Sequence, residues 1–261
     1  MRRTSVSLVC LLALTACGGA SQSALKADPA SVLLASSGKT TSAGSSHLQL
    51  TSATKVGDQN ITIAGGGDFS YTTGNGSLSM TVKLAATTLT LQERVVDKVL
   101  YLQLPGQPGW AALPIAKLLG TSLESSADPS SALDYLAGVG KDVKQVGTEK
   151  IDGVSTAHYT GTIDIDRAIS KLGGAIGDRL KKSVAQLNIT SFPFDAFVDE
   201  QGRLRRLVQH QSFEVNGQKA TGETTMELSN FGVKVDVVAP PAAEVHDGKA
   251  LLAAFGGGTA G

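Results

Sequence analysis

Ser77-Leu78-Ser79-Met80-Thr81-Val82-Lys83-Leu84 alternates polar and apolar side chains without a break. Successive side chains of a strand point to opposite faces, so this stretch predicts a half-buried β-strand with Leu78, Met80, Val82 and Leu84 on one side. Working outward, His47-Leu48-Gln49-Leu50-Thr51 and Asn60-Ile61-Thr62-Ile63 share the period of two. Leu89 and Leu91 open another strand, and Leu100, Leu102 and Leu104 alternate with Val99, Tyr101 and Gln103. Gly57-Asp58, Gly74-Asn75-Gly76 and Asp97-Lys98 fall where hairpin turns are needed. Five strands joined by short turns predict an antiparallel meander, polar on one face and apolar on the other. Pro105 to Gly109 reads as its end, and Gly65-Gly66-Gly67 as a bulge or bend within it.

Flanking segments switch to helical spacing. Asp28-Pro29 reads as an N-cap and first-turn proline, with Ala30, Leu33, Leu34 and Ser37 on one face of a helix running to about Lys39. Asp128-Pro129 repeats the device ahead of Ala132, Leu133 and Leu136, with Gly138 as a stop. Strands are predicted over 143–149 and 154–164 around an Asp152-Gly153 turn, and helices over 164–172 and 178–187. Strands return over 192–199, 204–215 and 220–231, the last two linked by Asn216-Gly217. The fold class expected is α+β: one large, curved antiparallel sheet with short helices on its apolar face. Those helices are few and rich in Ala, Ser and Gly. They face a broad aliphatic surface of Leu48, Leu50, Ile61, Ile63, Leu78, Met80, Val82, Leu84, Leu100 and Leu102, together with Leu104. Two readings stay open: these side chains form a filled core, or the helices leave an apolar cavity with room for acyl chains.

The first residues concern location. Arg2 and Arg3 precede an apolar run from Val6 to Leu14, and Leu14-Thr15-Ala16-Cys17 reads as a bacterial lipobox. An ordinary signal peptide that contains a cysteine is the alternative. On the lipobox reading, residues 1–16 are a signal peptide, 17–27 a lipidated tether, 28–246 the folded domain, and 247–261 a loose tail. Cys17 is then the lipidation site, and the chain sits on the outer side of a cell membrane. Cleavage leaves 245 residues and a formal charge of −2, from 21 Lys+Arg against 23 Asp+Glu. That balance gives no electrostatic basis for nucleic acid or for anionic lipid. Cys10 leaves with the signal and Cys17 is acylated, so no thiol is left for a disulfide, a metal or a nucleophile.

Catalytic readings find little support. His47, His158, His210 and His246 are scattered, with no HExxH motif, and no metal or other cofactor is expected. Alternation places His158 opposite Ala157, Tyr159, Gly161 and Ile163, which suits a surface or structural role. No Gly-x-Ser-x-Gly elbow is present, and Asp164 and Asp166 are explained by helix capping and the helix dipole.

The order of pieces resembles a known family. The lipobox, the capped helix and the meander are followed by Val146-Gly147-Thr148-Glu149-Lys150-Ile151-Asp152-Gly153-Val154-Ser155-Thr156-Ala157-His158-Tyr159-Thr160-Gly161-Thr162-Ile163-Asp164. Phe197-Val198-Asp199-Glu200-Gln201-Gly202-Arg203-Leu204 and Ala239-Pro240-Pro241 follow later. Nearly the whole mature chain resembles the LppX/LprAFG lipoproteins of mycobacteria and related actinobacteria. The resemblance implies a half-barrel sheet wrapped over helices around an apolar cavity, similar to the LolA/LolB carriers. It further implies a membrane-anchored protein, not an enzyme, that binds and carries a lipid or acylated glycolipid of the envelope, with a possible transport partner. A structural or signalling ectodomain with a filled core is the competing expectation.

Overall fold

The computed structural model describes residues 27–118, 131–172, 174, 181, 189–215 and 217–251. The lipobox with Cys17, the tether, the Asp128-Pro129 cap, nearly all of the 178–187 helix and the tail from residue 252 lie outside them. Twelve strands form one open sheet: β1 (Ser45–Val56), β2 (Gln59–Ser70), β3 (Gly76–Leu84), β4 (Thr87–Val96), β5 (Val99–Gln103), β6 (Trp110–Pro114), β7 (Lys144–Ile151), β8 (Val154–Asp164), β9 (Ser191–Asp199), β10 (Leu204–Val215), β11 (Gln218–Ser229) and β12 (Val245–Asp247). Their order is β12-β6-β5-β4-β3-β2-β1-β11-β10-β9-β8-β7, antiparallel throughout except for the parallel β12–β6 pair. Two meanders, β1–β6 and β7–β11, are therefore joined where β1 pairs with β11. The expected α+β half-barrel is present, and its sheet is not closed.

Turn chemistry accounts for much of the register. Asp97 and Lys98 both adopt positive φ, 50° and 64°, the condition for a two-residue hairpin turn that matches strand twist. The turn between β9 and β10 is held by Asp199, whose carboxylate accepts from the Arg203 backbone N–H at 2.8 Å and its Nε at 2.9 Å.

Three short helices are described: α1 (Pro29–Thr41), α2 (Ser131–Asp134) and α3 (Ile165–Leu172). Asp28 caps α1 as expected, accepting from the Ser31 N–H at 3.1 Å. The buried stripe of α1 is Leu33, Ser36 and Thr40, not the predicted Leu33–Leu34 face. Thr40 draws the helix onto its other side: its buried hydroxyl accepts from the Leu204 N–H at 2.9 Å, and Leu34 is left 49% exposed. Leu33, Leu133, Leu136, Ile165 and Ile169 meet the inner face of the sheet at Leu48, Leu78, Tyr159, Phe194, Leu207 and Met226. A smaller cluster of Val95, Leu100, Leu102, Leu113 and Leu118 fills the β4–β6 end.

Two expectations about the meander are corrected. It does not end at Gly109, because β6 pairs with β5 and then with β12. Gly65-Gly66-Gly67 forms no bulge, since β2 keeps unbroken register with β1 and β3. The neighbouring backbones instead press so closely that a Cβ on Gly67 would fall 1.8 Å from the Ser77 carbonyl oxygen, and one on Gly65 2.2 Å from that of Ser79. Glycine lets strongly coiled strands approach this closely.

Gly67→Ala is therefore expected to cost about 1–3 kcal/mol in urea unfolding, as overpacking against backbone does. Gly147→Ala is the control, because a Cβ there meets nothing within 4 Å and φ is not positive. It should leave the midpoint unchanged or slightly raised.

Candidate functional site

Register fixes which side chains share the concave face. Leu48 and Leu50 stand opposite Gly67 and Gly65, which stand opposite Leu78 and Met80. Ile63 faces Val82 and Ile61 faces Leu84. On β4, Glu93, Leu91 and Leu89 face Leu78, Met80 and Val82, and across β5 Glu93 faces Leu102 and Val95 faces Leu100. All ten aliphatic residues singled out from the sequence thus lie on one face.

Their surroundings differ. Leu48 and Leu78 are packed in the large cluster, and Leu100 and Leu102 in the small one. Met80 is buried yet belongs to neither cluster of described residues. Leu50, Ile61, Ile63 and Val82 are half-buried, while Leu84 and Leu89 are 44% and 46% exposed. Between the two packed regions a strip of apolar surface therefore runs from Met80 out to the β1–β2 and β3–β4 hairpin ends, progressively less covered.

Glu93 stands at the inner end of this strip and was not foreseen. It is only 3% exposed, and its Oε2 has no hydrogen-bond partner among the described residues. Burial pushes its carboxyl up to about 7. One signal in the sequence could have found it: Glu93 falls in phase with Leu89, Leu91 and Val95, so a carboxylate occupies an inward strand position.

The convex face carries a different constellation. Asp195 Oδ1 lies 2.8 Å from His158 Nε2 and Oδ2 lies 3.1 Å from His210 Nε2, while His210 Nδ1 is 3.4 Å from Glu223 Oε2. Burial opposes ionisation of Asp195, but hydrogen bonds and charge from both histidines outweigh it and hold the carboxyl below its usual range. His158 also stacks on Phe197 at 4.3 Å. No serine or threonine hydroxyl of the described residues bonds either imidazole. No group of described His, Cys, Asp and Glu residues is suited to hold a metal ion.

Three surface clefts of about 540, 570 and 640 Å³ are formed by described residues. They lie beside β12, around the outer ends of β1, β2, β10 and β11, and between Pro29 and β7. The second touches the aliphatic strip at Ile61, and the other two are lined by none of its residues.

Comparison with known proteins decides the family. Residues 28–237 match the family described as LppX_LprAFG lipoprotein. The chain belongs to the LppX/LprAFG lipoprotein family. Among solved structures, this LppX/LprAFG lipoprotein is similar to LprF from Mycobacterium bovis at 18% identity and a TM-score of 0.51, covering 82% of this chain and 97% of that one. That likeness is one of fold. LppX from Mycobacterium tuberculosis gives 17% identity and a TM-score of 0.49, with 80% and 99% covered. An uncharacterized 31.2 kDa protein of Streptomyces griseus is 30% identical over 125 residues, 46% of this chain. The match spans only 39% of that relative's length. No helix among the described residues is long and apolar enough to cross a membrane.

The position of Glu93 has a measurable consequence. Its ordinary value is 4.5, and in the fold it is about 7. Between those values the folded chain holds a proton that the unfolded chain releases, so stability falls as pH rises through this window and levels off above 7. Glu93→Gln, which cannot titrate, should lack that slope. Chemical unfolding at pH 4.5 and pH 8 should show wild type losing on the order of 3 kcal/mol more than the variant between the two.

Proposed function

We propose that this lipoprotein is held at the outer surface of a cell membrane by lipid on Cys17, and binds acyl chains of a lipid or acylated glycolipid along the aliphatic strip. The observation that carries this reading is the contrast within one face of one sheet. Leu48, Leu78, Leu100 and Leu102 are fully packed, while on the same face Ile61, Ile63 and Val82 are only partly covered and Leu84 and Leu89 are 44% and 46% exposed. Apolar side chains left in water on a concave surface gain roughly 25 cal/mol per Å² when a chain covers them. A chain leaving a bilayer exchanges one apolar setting for another, so transfer is close to neutral and reversible. No bond need be made or broken.

Val82 and Met80 separate carriage from mere packing. Val82 is half-buried at the open part of the strip, whereas Met80 is buried beside Gly65, whose missing side chain leaves it room. Val82→Trp should cut uptake of a fluorescent fatty-acid probe several-fold while thermal melting changes little. Met80→Trp should destabilise by about 1–3 kcal/mol through overpacking. Mass spectrometry of lipid extracted from the purified, non-acylated domain is the direct test. Recovery of no lipid, together with no probe uptake, favours the filled-core ectodomain, a reading supported by the tight packing beneath β8–β11.

A further inference from the structure

An oily strip needs no carboxyl group, yet Glu93 lies in its floor. Its neighbours on the same face are Leu78 on β3, Leu102 on β5, and Leu91 and Val95 along β4. No titratable side chain stands on the concave face of β3, β5 or β6 beside it: the inward residues there are Gly, Leu, Met, Val and Ala. The adjacent cation, Arg94, points to the convex face, where its guanidinium covers Trp110 at 4.5 Å and its Nη1 donates to the Val238 carbonyl at 3.3 Å. Asp199, also buried, has Arg203 as its partner, whereas Glu93 Oε2 has none among the described residues. Buried polar groups are almost always satisfied, and an orphan in a native protein marks a place where something else supplies the bond.

We propose that Glu93 is the polar anchor of the strip: its carboxyl, holding its proton, donates a hydrogen bond to the carbonyl oxygen of an acyl ester whose chain lies along Met80 and Val82. This rests on the acyl-binding reading and adds to it a substrate class. An uncompensated carboxylate in aliphatic surroundings is strongly disfavoured, so the group meets its ligand as a neutral acid, which offers one O–H. Where an acyl chain is joined to a glycerol or sugar oxygen, the acceptor at its end is an ester carbonyl. A cationic headgroup would instead require the ionised form. The hydrogen bond needs the proton, so the affinity that it adds is lost as pH rises past the point where the proton leaves, near 7.

The test uses the full chain carrying Cys17→Ser, as wild type at position 93, Glu93→Gln and Glu93→Leu. Two fluorescent probes of equal chain length, a diacylglycerol and its dialkyl ether counterpart, are titrated from pH 6 to pH 8.5. With Glu93, the ester probe should bind several-fold tighter than the ether at pH 6, and that preference should fall to near parity by pH 8.5. Glu93→Gln keeps a donor without titrating, so its ester preference should be flat with pH. Glu93→Leu should bind both probes equally. Equal affinities for the two probes with Glu93 present, or binding that strengthens as pH rises, overturns the anchor role while acyl binding stands. Absence of uptake by every protein at every pH overturns acyl binding itself and the anchor with it. Should Glu93→Leu fail to fold, the comparison of Glu93 with Glu93→Gln alone decides the matter.

Discussion

A twelve-stranded sheet curved to one side offers more inward-facing surface than α1, α2 and α3 can cover. This mismatch of area governs the rest of the structure. Where Leu33, Leu136, Ile165 and Ile169 reach the sheet, its inner side chains are fully buried. Where Leu100, Leu102, Leu113 and Leu118 reach one another, a second small core forms without help from these helices. Between them the same alternating pattern continues, and apolar side chains are left partly in water. Among the described residues the strip is thus a by-product of sheet width.

The two faces of the sheet divide their chemistry sharply. Inward positions are aliphatic or aromatic over most of the sheet, so even one carboxyl among them is conspicuous. Outward positions gather paired charges: Arg206 with Glu227, His47 with Asp68, and Asp195 with two histidines. Pairs of that kind on a solvated surface contribute little to stability each, yet they keep a wide face polar and soluble. The histidine pair on Asp195 is of this kind, its other contacts among the described residues including Glu223 and the ring of Phe197.

The strands were legible because period-two alternation and turn residues agree: Ser77 to Leu84 and the Asp97-Lys98 turn leave little freedom. What escaped the sequence has physical reasons. Strand β6, Trp110-Ala111-Ala112-Leu113-Pro114, lacks polar alternation because its outer side is covered too, with Arg94 lying over Trp110. The buried side of α1 was misjudged at Leu34 because a hydroxyl, that of Thr40, and not a methyl group decides how the helix sits. The three glycines of β2 look like a break in one dimension, whereas their role is set by strands β1 and β3 on either side. The aliphatic site residues were readable by face, but their unequal coverage depends on where distant helices land. Glu93 was hidden by ordinary expectation, which assigns charged residues to water.

The joint between the two meanders also bears on timing. His47 must find Ser229, and the Ser52 hydroxyl must meet that of Thr224 at 3.0 Å, across almost the whole length of the folded region. A ribosome adding about 5–20 residues per second needs roughly ten seconds or more to deliver the second half of that seam after the first. Until then β1 has one unclaimed edge and the nascent chain cannot complete its sheet. The chain therefore stays open far longer than one whose strands pair only with their neighbours in sequence, and β11, the last but one strand to be made, is the piece that locks the two halves together.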